Sequence, residues 1–202
     1  MRLVLATQNP GKLKEIKTLA QEMNDLTWLT LELAPEKFNP DENGSTFAEN
    51  ALIKATAAAR LTHAYALADD SGIAVDVLEG KPGVYSARYS EGDEHRGCLK
   101  LIEDLKNVPL AQRAAAYHCV MALVSPEGKL LHQAEGIWHG RIIDKMRGTG
   151  GFGYDPIFYL DSHGKTAAEI SLAEKNRISH RAQAWLNIKE FLIDHYSNRK
   201  SS

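Results

Sequence analysis

The chain has 202 residues, 44% of them hydrophobic and 25% charged, with a formal net charge of −2. That is the make-up of one globular domain or of two small lobes, with enough apolar residues to bury a real core. The near-neutral balance excludes a general coat for nucleic acid, and no apolar run reaches the length of a membrane span.

Cys98 and Cys119 have the spacing of neither a metal site nor a disulfide framework, so a reducing, cytoplasmic setting is the default. Met1-Arg2 leads directly into Leu3-Val4-Leu5-Ala6, a run too short for a signal peptide. That run reads as a buried strand. After it, Asn9 suits an N-cap and Pro10 a first helical position. Leu13, Ile16, Ala20 and Met23 recur at helical spacing. A strand feeding a helix through a short polar turn presents free N–H groups and a positive dipole end, which binds phosphate. Lys12 in that first turn opposes the dipole and makes most sense with an anion present. A plain turn with a solvated lysine fits equally well.

Thr27 to Leu33 alternates weakly, as a second strand would. Pro35 to Gly44 is a polar loop. Ser45 or Thr46 then caps a long alanine-rich helix reaching about Thr62, with Asn50 and Lys54 on one face. Glu42 just before it is either a solvated charge or a metal carboxylate.

Ala64 to Leu78 is the most unusual stretch, because Asp69-Asp70-Ser71-Gly72 sits between two apolar, strand-like segments. Carboxylates rarely occur there without a partner. Taken alone, the stretch fits a tight turn between two strands. In extended backbone, however, neighbouring residues point to opposite faces. Asp69 and Asp70 would then do different jobs, one fixing local structure and the other facing a cleft to hold a cation such as Mg²⁺.

Further on, Arg88 between Tyr85 and Tyr89 could reach an anion or stack on the rings. Leu99, Ile102 and Leu105 mark a helix that Pro109 ends. Ala114–Val124 and Lys129–Trp138 read as strands joined by Ser125-Pro126-Glu127-Gly128, with His118 and His132 as core or edge residues. Gly148 to Asp155 carries four glycines in six positions, without the context of a dinucleotide or Walker loop. Such density suits a backbone that something approaches closely. Phe152 and Tyr154 within it could face a base or plug the core. Ser171 with Glu174 forms a capping box. Ile178, Ala182, Trp185, Ile188 and Leu192 give the last helix its apolar stripe. Lys175, His180 and Arg181 cluster near its start. The tail from Ser197 is polar, and no internal repeat is present.

Together these features supply what a nucleoside triphosphate needs. Lys12 and Lys54 serve the phosphates, and Glu42, Asp69 and Asp70 serve Mg²⁺. The aromatic glycine loop serves a base, and Lys175, His180 and Arg181 donate hydrogen bonds. Donors select hypoxanthine and xanthine, which carry a keto oxygen where adenine carries an amino group. A mismatched buried donor costs about 1–3 kcal/mol.

In this combination the chain resembles the inosine/xanthosine triphosphate pyrophosphatases. The resemblance rests on Thr7-Gln8-Asn9-Pro10-Gly11-Lys12, Ala68-Asp69-Asp70-Ser71-Gly72, Gly83-Val84-Tyr85-Ser86-Ala87-Arg88-Tyr89, Gly148 to Pro156 and Ser179-His180-Arg181, in matching order. It implies a two-lobed α/β domain over residues 1–202, with a mixed sheet and a substrate cleft between the lobes. It also implies a homodimer and Mg²⁺-dependent hydrolysis of ITP, dITP and XTP to the monophosphate and pyrophosphate. By the same resemblance Thr7, Gln8, Asn9, Pro10, Gly11 and Lys12 bind the phosphates. Asp70 is the general base and a Mg²⁺ ligand, assisted by Glu42 or Asp69. Lys54 and Ser71 contact substrate. Phe152, Gly153, Tyr154, Asp155, Lys175, His180 and Arg181 hold the base. Gln8 stands where many members carry glycine. The same residues would also suit a pyrophosphatase for modified pyrimidine triphosphates or a general nucleotide pyrophosphatase, or a non-catalytic nucleotide-binding or sensor protein.

Overall fold

The computed structural model describes residues 1–21, 29–36, 38–90 and 92–197. Met23, Thr27 and the tail after Ser197 lie outside the described residues. In chain order the elements are β1 (Arg2–Leu5), α1 (Pro10–Gln21), β2 (Thr30–Leu33), α2 (Phe47–Thr62), β3 (Tyr65–Val75), α3 (Glu94–Asp104), β4 (Ala114–Val124), β5 (Leu130–Ile142), β6 (Phe158–Leu160), β7 (Lys165–Thr166), α4 (Leu172–Ile178) and α5 (His180–Tyr196). The strands hydrogen-bond in the order β2-β1-β3-β4-β5-β6-β7. β1 runs parallel to β2 and β3, and β6 antiparallel to β5 and β7, so the sheet is mixed. The chain forms two compact units, Met1–Asp70 with Cys119–Gly136 and Arg181–Ser202, and Ser71–His118 with Ile137–His180.

In the first unit, strand alternation divides the apolar side chains between two layers. Leu3, Leu5, Leu67, Cys119, Met121 and Leu123 pack with Ile16 and Leu19 of α1 and with Ala182, Trp185, Ile188 and Leu192 of α5. Val4, Ala6, Ala66, Ala68, Val120, Ala122 and Val124 pack instead on Ala51, Ala55, Ala58 and Ala59 of α2. The alanines let α2 lie close to the sheet. Thr46 caps that helix by accepting from Glu49 N at 3.1 Å, while Glu49 accepts from Ser45 N at 2.6 Å. These two bonds satisfy N–H groups that the first turn would otherwise leave bare.

In the second unit one core holds Ile73 and Val75 of β3, Cys98, Leu101 and Leu105 of α3 and its cap, Tyr117 of β4, and Trp138 and Ile142 of β5. Tyr154, Ile157, Phe158 and Leu160 complete it.

Three expectations change. β3 continues through Asp69-Asp70-Ser71-Gly72 without a turn, because both carboxylates find partners from within the strand. In α3 the buried positions are Gly97, Cys98 and Leu101, followed by Leu105, while Leu99 is exposed. A step of three residues drifts around a helix of 3.6 per turn. The strand expected to end at Trp138 runs on to Ile142.

Candidate functional site

The alternation that sorts the core also sorts the paired carboxylates. Leu67 and Asp69 lie on the α1/α5 side of β3, and Ala68 and Asp70 on the α2 side. Asp69 Oδ2 lies 3.0 Å from Lys12 Nζ of α1 and 3.0 Å from Arg181 Nη2 of α5. Arg181 is itself fully buried, and its other arm meets Glu15 of α1, also buried. Burial works to raise the Asp69 carboxyl, but the charges of Lys12 and Arg181 overrule it and hold it far below the usual carboxylate range.

On the opposite face, Asp70 Oδ1 accepts from Lys54 Nζ at 2.8 Å and Oδ2 from Asn50 Nδ2 at 3.3 Å. Asn50 Oδ1 in turn accepts from Gly44 N at 2.8 Å, which fixes the amide. Lys54 also reaches Glu42 Oε2 at 3.1 Å. Burial pushes the Asp70 carboxyl above its ordinary value, against the pull of Lys54 and Lys12. Burial opposes the charge of Lys54 too, but Asp70 and Asp69 outweigh it, so the ammonium is held more firmly than in water. The two neighbouring acids therefore differ in character. Asp69 is a neutralised anchor, and Asp70 is a more basic carboxylate.

The β1–α1 connection is built as a cap. Thr7 Oγ1 accepts from Asn9 N at 3.2 Å, and Asn9 Oδ1 accepts from Lys12 N at 3.0 Å. Pro10 opens the helix. Gln8 is exposed, and its side chain donates to Pro35 O at 2.8 Å, joining this loop to the segment after β2.

In the second unit, Asp155 organises the glycine loop. Its Oδ2 accepts from Phe152 N at 2.9 Å and pairs with buried Lys175 Nζ. That ammonium also lies 4.9 Å from the centre of the half-buried Phe152 ring, within cation–π range. Gly151 has φ +71°, and a Cβ there would come within 1.9 Å of Asp155 Oδ2. Only glycine allows this closure. Gly153 N donates to Glu94 Oε2 at 2.7 Å. The buried imidazole of His180 stacks on Tyr117, with centroids 4.7 Å apart and planes at 6°.

The structure thus brings Lys12, Asp69 and Arg181 together, and separately Glu42, Lys54 and Asp70. It gathers Phe152, Asp155 and Lys175 in a third group. The Arg181 guanidinium meets Glu15 and Asp69 within the first unit. Tyr154 is not an open aromatic face. Its ring is part of the second unit's core, and its hydroxyl donates to Ser86 O at 2.8 Å. Ser71 follows Asp70 on β3 as a half-buried member of the second unit. Sequence reasoning missed Glu15, Asn50 as a partner of Asp70, and Tyr117.

A hard divalent cation is compatible with this chemistry. Among the described residues no three His, Cys, Asp or Glu side chains gather into a complete cage. Asp70 and Glu42 nevertheless both approach Lys54, and Mg²⁺ commonly takes one or two carboxylates and fills the rest of its shell with phosphate and water. Asp69 Oδ1 is a buried oxygen without a hydrogen-bond partner, so the acidic pair retains one unmet acceptor.

Comparison with known proteins places these residues among relatives. Residues 3–191 match the model of the Ham1 family. A dITP/XTP pyrophosphatase of Geobacter sulfurreducens is 49% identical over 193 residues, covering 95% of this chain and 96% of that protein. A dITP/XTP pyrophosphatase of Escherichia coli K12 is 46% identical, covering 91% of this chain and 93% of that one. Among solved structures, a HAM1 protein from Coxiella burnetii superposes with a TM-score of 0.83 at 40% identity, over 96% of this chain and 99% of its own.

Proposed function

The chain belongs to the Ham1 family, and from that membership we propose that it hydrolyses ITP, dITP and XTP to the nucleoside monophosphate and pyrophosphate. The reaction removes deaminated purines from the nucleotide pool. The observation that carries the mechanism is the setting of Asp70, a buried carboxylate of raised proton affinity within 2.8 Å of Lys54. A general base works best when its pKa is moved toward the working pH.

Asp70 orients a water and takes its proton as the oxygen attacks the α-phosphorus. The bond from that phosphorus to the bridging oxygen breaks, and pyrophosphate leaves with the electron pair. Lys54 and Lys12 take up the charge that develops on the phosphate oxygens. The N-terminus of α1, with Thr7 to Lys12, receives the rest of the triphosphate. Asp70 and Glu42 would hold a Mg²⁺ ion, which when bound would supply neutralisation of phosphate charge and a more acidic water. Lys175 and His180 donate to the purine's keto oxygen, and Phe152 contacts its face. Asp69, carrying its cations, keeps Lys12 and Arg181 in place.

The enzyme acts in the cytoplasm as a homodimer, a reading supported by the family resemblance. Among the described residues no helix is long and apolar enough to cross a membrane. Size-exclusion chromatography with light scattering tests the dimer, which requires twice the 22.3 kDa of one chain. The reaction itself is tested by incubating the protein with ITP and with ATP, each with Mg²⁺, and separating the products. Faster turnover of ITP with pyrophosphate as product supports the assignment. Equal rates, or orthophosphate alone, overturn it.

A further inference from the structure

Tyr117 of β4 is buried in the second unit, and its contacts exceed what core filling requires. Its ring lies parallel to the His180 imidazole at 4.7 Å, meets Phe158 edge-on at 4.7 Å, and lies 6.3 Å from the Trp138 ring. Its hydroxyl hydrogen-bonds the Asp155 side chain. Burial, with the negative charge of Asp155, keeps the phenol neutral, so it is the donor. Asp155 in turn holds Phe152 N at 2.9 Å and the Lys175 ammonium. One face of Tyr117 therefore sets where the imidazole lies. Its tip sets where the loop carboxylate lies.

We infer that Tyr117 is a positioning residue for purine recognition, holding the imidazole of His180 and the Asp155–Lys175–Phe152 group at a fixed separation by a ring stack at one end and a hydroxyl bond at the other. This rests on the functional reading above, in which those groups receive the base. Two donors can share one keto oxygen only if their spacing is fixed. A carboxylate with one fewer hydrogen bond holds its lysine and loop less firmly. The consequence is confined to selecting the base, since neither partner of Tyr117 belongs to the Asp70 group.

Tyr117→Phe keeps the ring and deletes only the hydroxyl. The expected result is a KM for ITP raised about tenfold and an ITP-over-ATP preference lowered by a similar factor, as for loss of one hydrogen bond to a charged group. The turnover number stays within about twofold, and pyrophosphate remains the product. Phe158→Leu is the control, because Phe158 meets Tyr117 edge-on in the same aromatic cluster and its loss leaves the Tyr117 hydroxyl intact, whereas Trp138 itself stacks on His180. It should lower the melting temperature and keep the preference. Equal loss of preference in Phe158→Leu would assign the effect to packing and overturn the proposal. So would a Tyr117→Phe enzyme with wild-type KM and preference. Failure of the functional reading is distinguishable, since it appears in the wild-type enzyme as equal rates on ITP and ATP. The His180 ring-proton shifts supply a readout besides activity. They should move in Tyr117→Phe if the hydroxyl fixes the stack, and unchanged shifts count against it.

Discussion

Asp69 and Asp70 are joined by one peptide bond and serve opposite layers of the first unit. Asp69 Oδ2 lies 3.0 Å from Lys12 Nζ on α1, and Asp70 Oδ1 lies 2.8 Å from Lys54 Nζ on α2. The strand's two-residue period produces this division, and with it two carboxylates of contrasting proton affinity in adjacent positions.

Asp70→Asn removes the proposed base and preserves the shape. Hydrolysis of ITP is expected to fall by about 10²–10⁴-fold, the usual contribution of a positioned base. Nucleotide binding, followed by calorimetry, should persist. Retained turnover would show that the water is activated elsewhere.

Asp69→Asn has a different signature. It leaves Lys12 and Arg181 facing a neutral group in a buried site, and a broken buried pair costs about 3–5 kcal/mol. The folded-state pKa of Asp69 is depressed, so its ionic contribution is complete above the unfolded value of about 3.9 and is lost as pH falls through the still lower folded value. The difference in unfolding free energy between wild type and Asp69→Asn should therefore be flat from about pH 5 upward and shrink below about pH 4. Denaturant titrations across that range check it. A difference that grows on acidification would contradict the ion-pair assignment.

Gly151→Ala and Gly153→Ala form a matched pair in the glycine loop. Both positions have positive φ, +71° and +61°, but an added Cβ meets Asp155 Oδ2 at 1.9 Å in the first and nothing within 4 Å in the second. Gly153→Ala should cost only about 1–2 kcal/mol of backbone strain. Gly151→Ala adds a steric clash and should raise the KM for ITP as the Asp155 contact is displaced. Thermal melts and initial rates on both variants separate the two costs.

Chelation of divalent ions by EDTA should abolish ITP hydrolysis and leave the circular dichroism spectrum unchanged, with recovery on adding Mg²⁺. Lys54 already offsets part of the charge of Asp70 and Glu42, so the fold should survive loss of the ion. Activity that survives chelation would remove the metal from the mechanism.

Cys98 and Cys119 should resist iodoacetamide in the native protein at pH 8. Burial pushes both thiols up to about 12, and the carboxylates of Glu94 and Asp69 add to it at Cys98 and Cys119 respectively. The nucleophile is the thiolate. Intact-mass measurement should show no adduct until guanidinium exposes the chain, and then two.

Much of the fold was legible in the residues themselves, because its signals are local. Asn9-Pro10, Thr46 and Ser171 announce helix starts, since each side chain or ring answers a need of the adjacent backbone. The period of Ala182, Trp185, Ile188 and Leu192 reports the buried face of α5 in the same way. The opposed duties of Asp69 and Asp70 followed from strand geometry alone. What each side chain touches depended on contacts between residues far apart in the chain. Nothing in the order of residues showed that Arg181 would meet Glu15 and Asp69, 166 and 112 residues away. Tyr154 could have faced a base or plugged the core, and only packing shows that it closes a core. Tyr117 gave no signal, as an apolar strand with one aromatic is ordinary until its neighbours are known. Local backbone chemistry is written in the order of residues, whereas the pairing of buried charges and rings is decided only when packing leaves each one a single place to go.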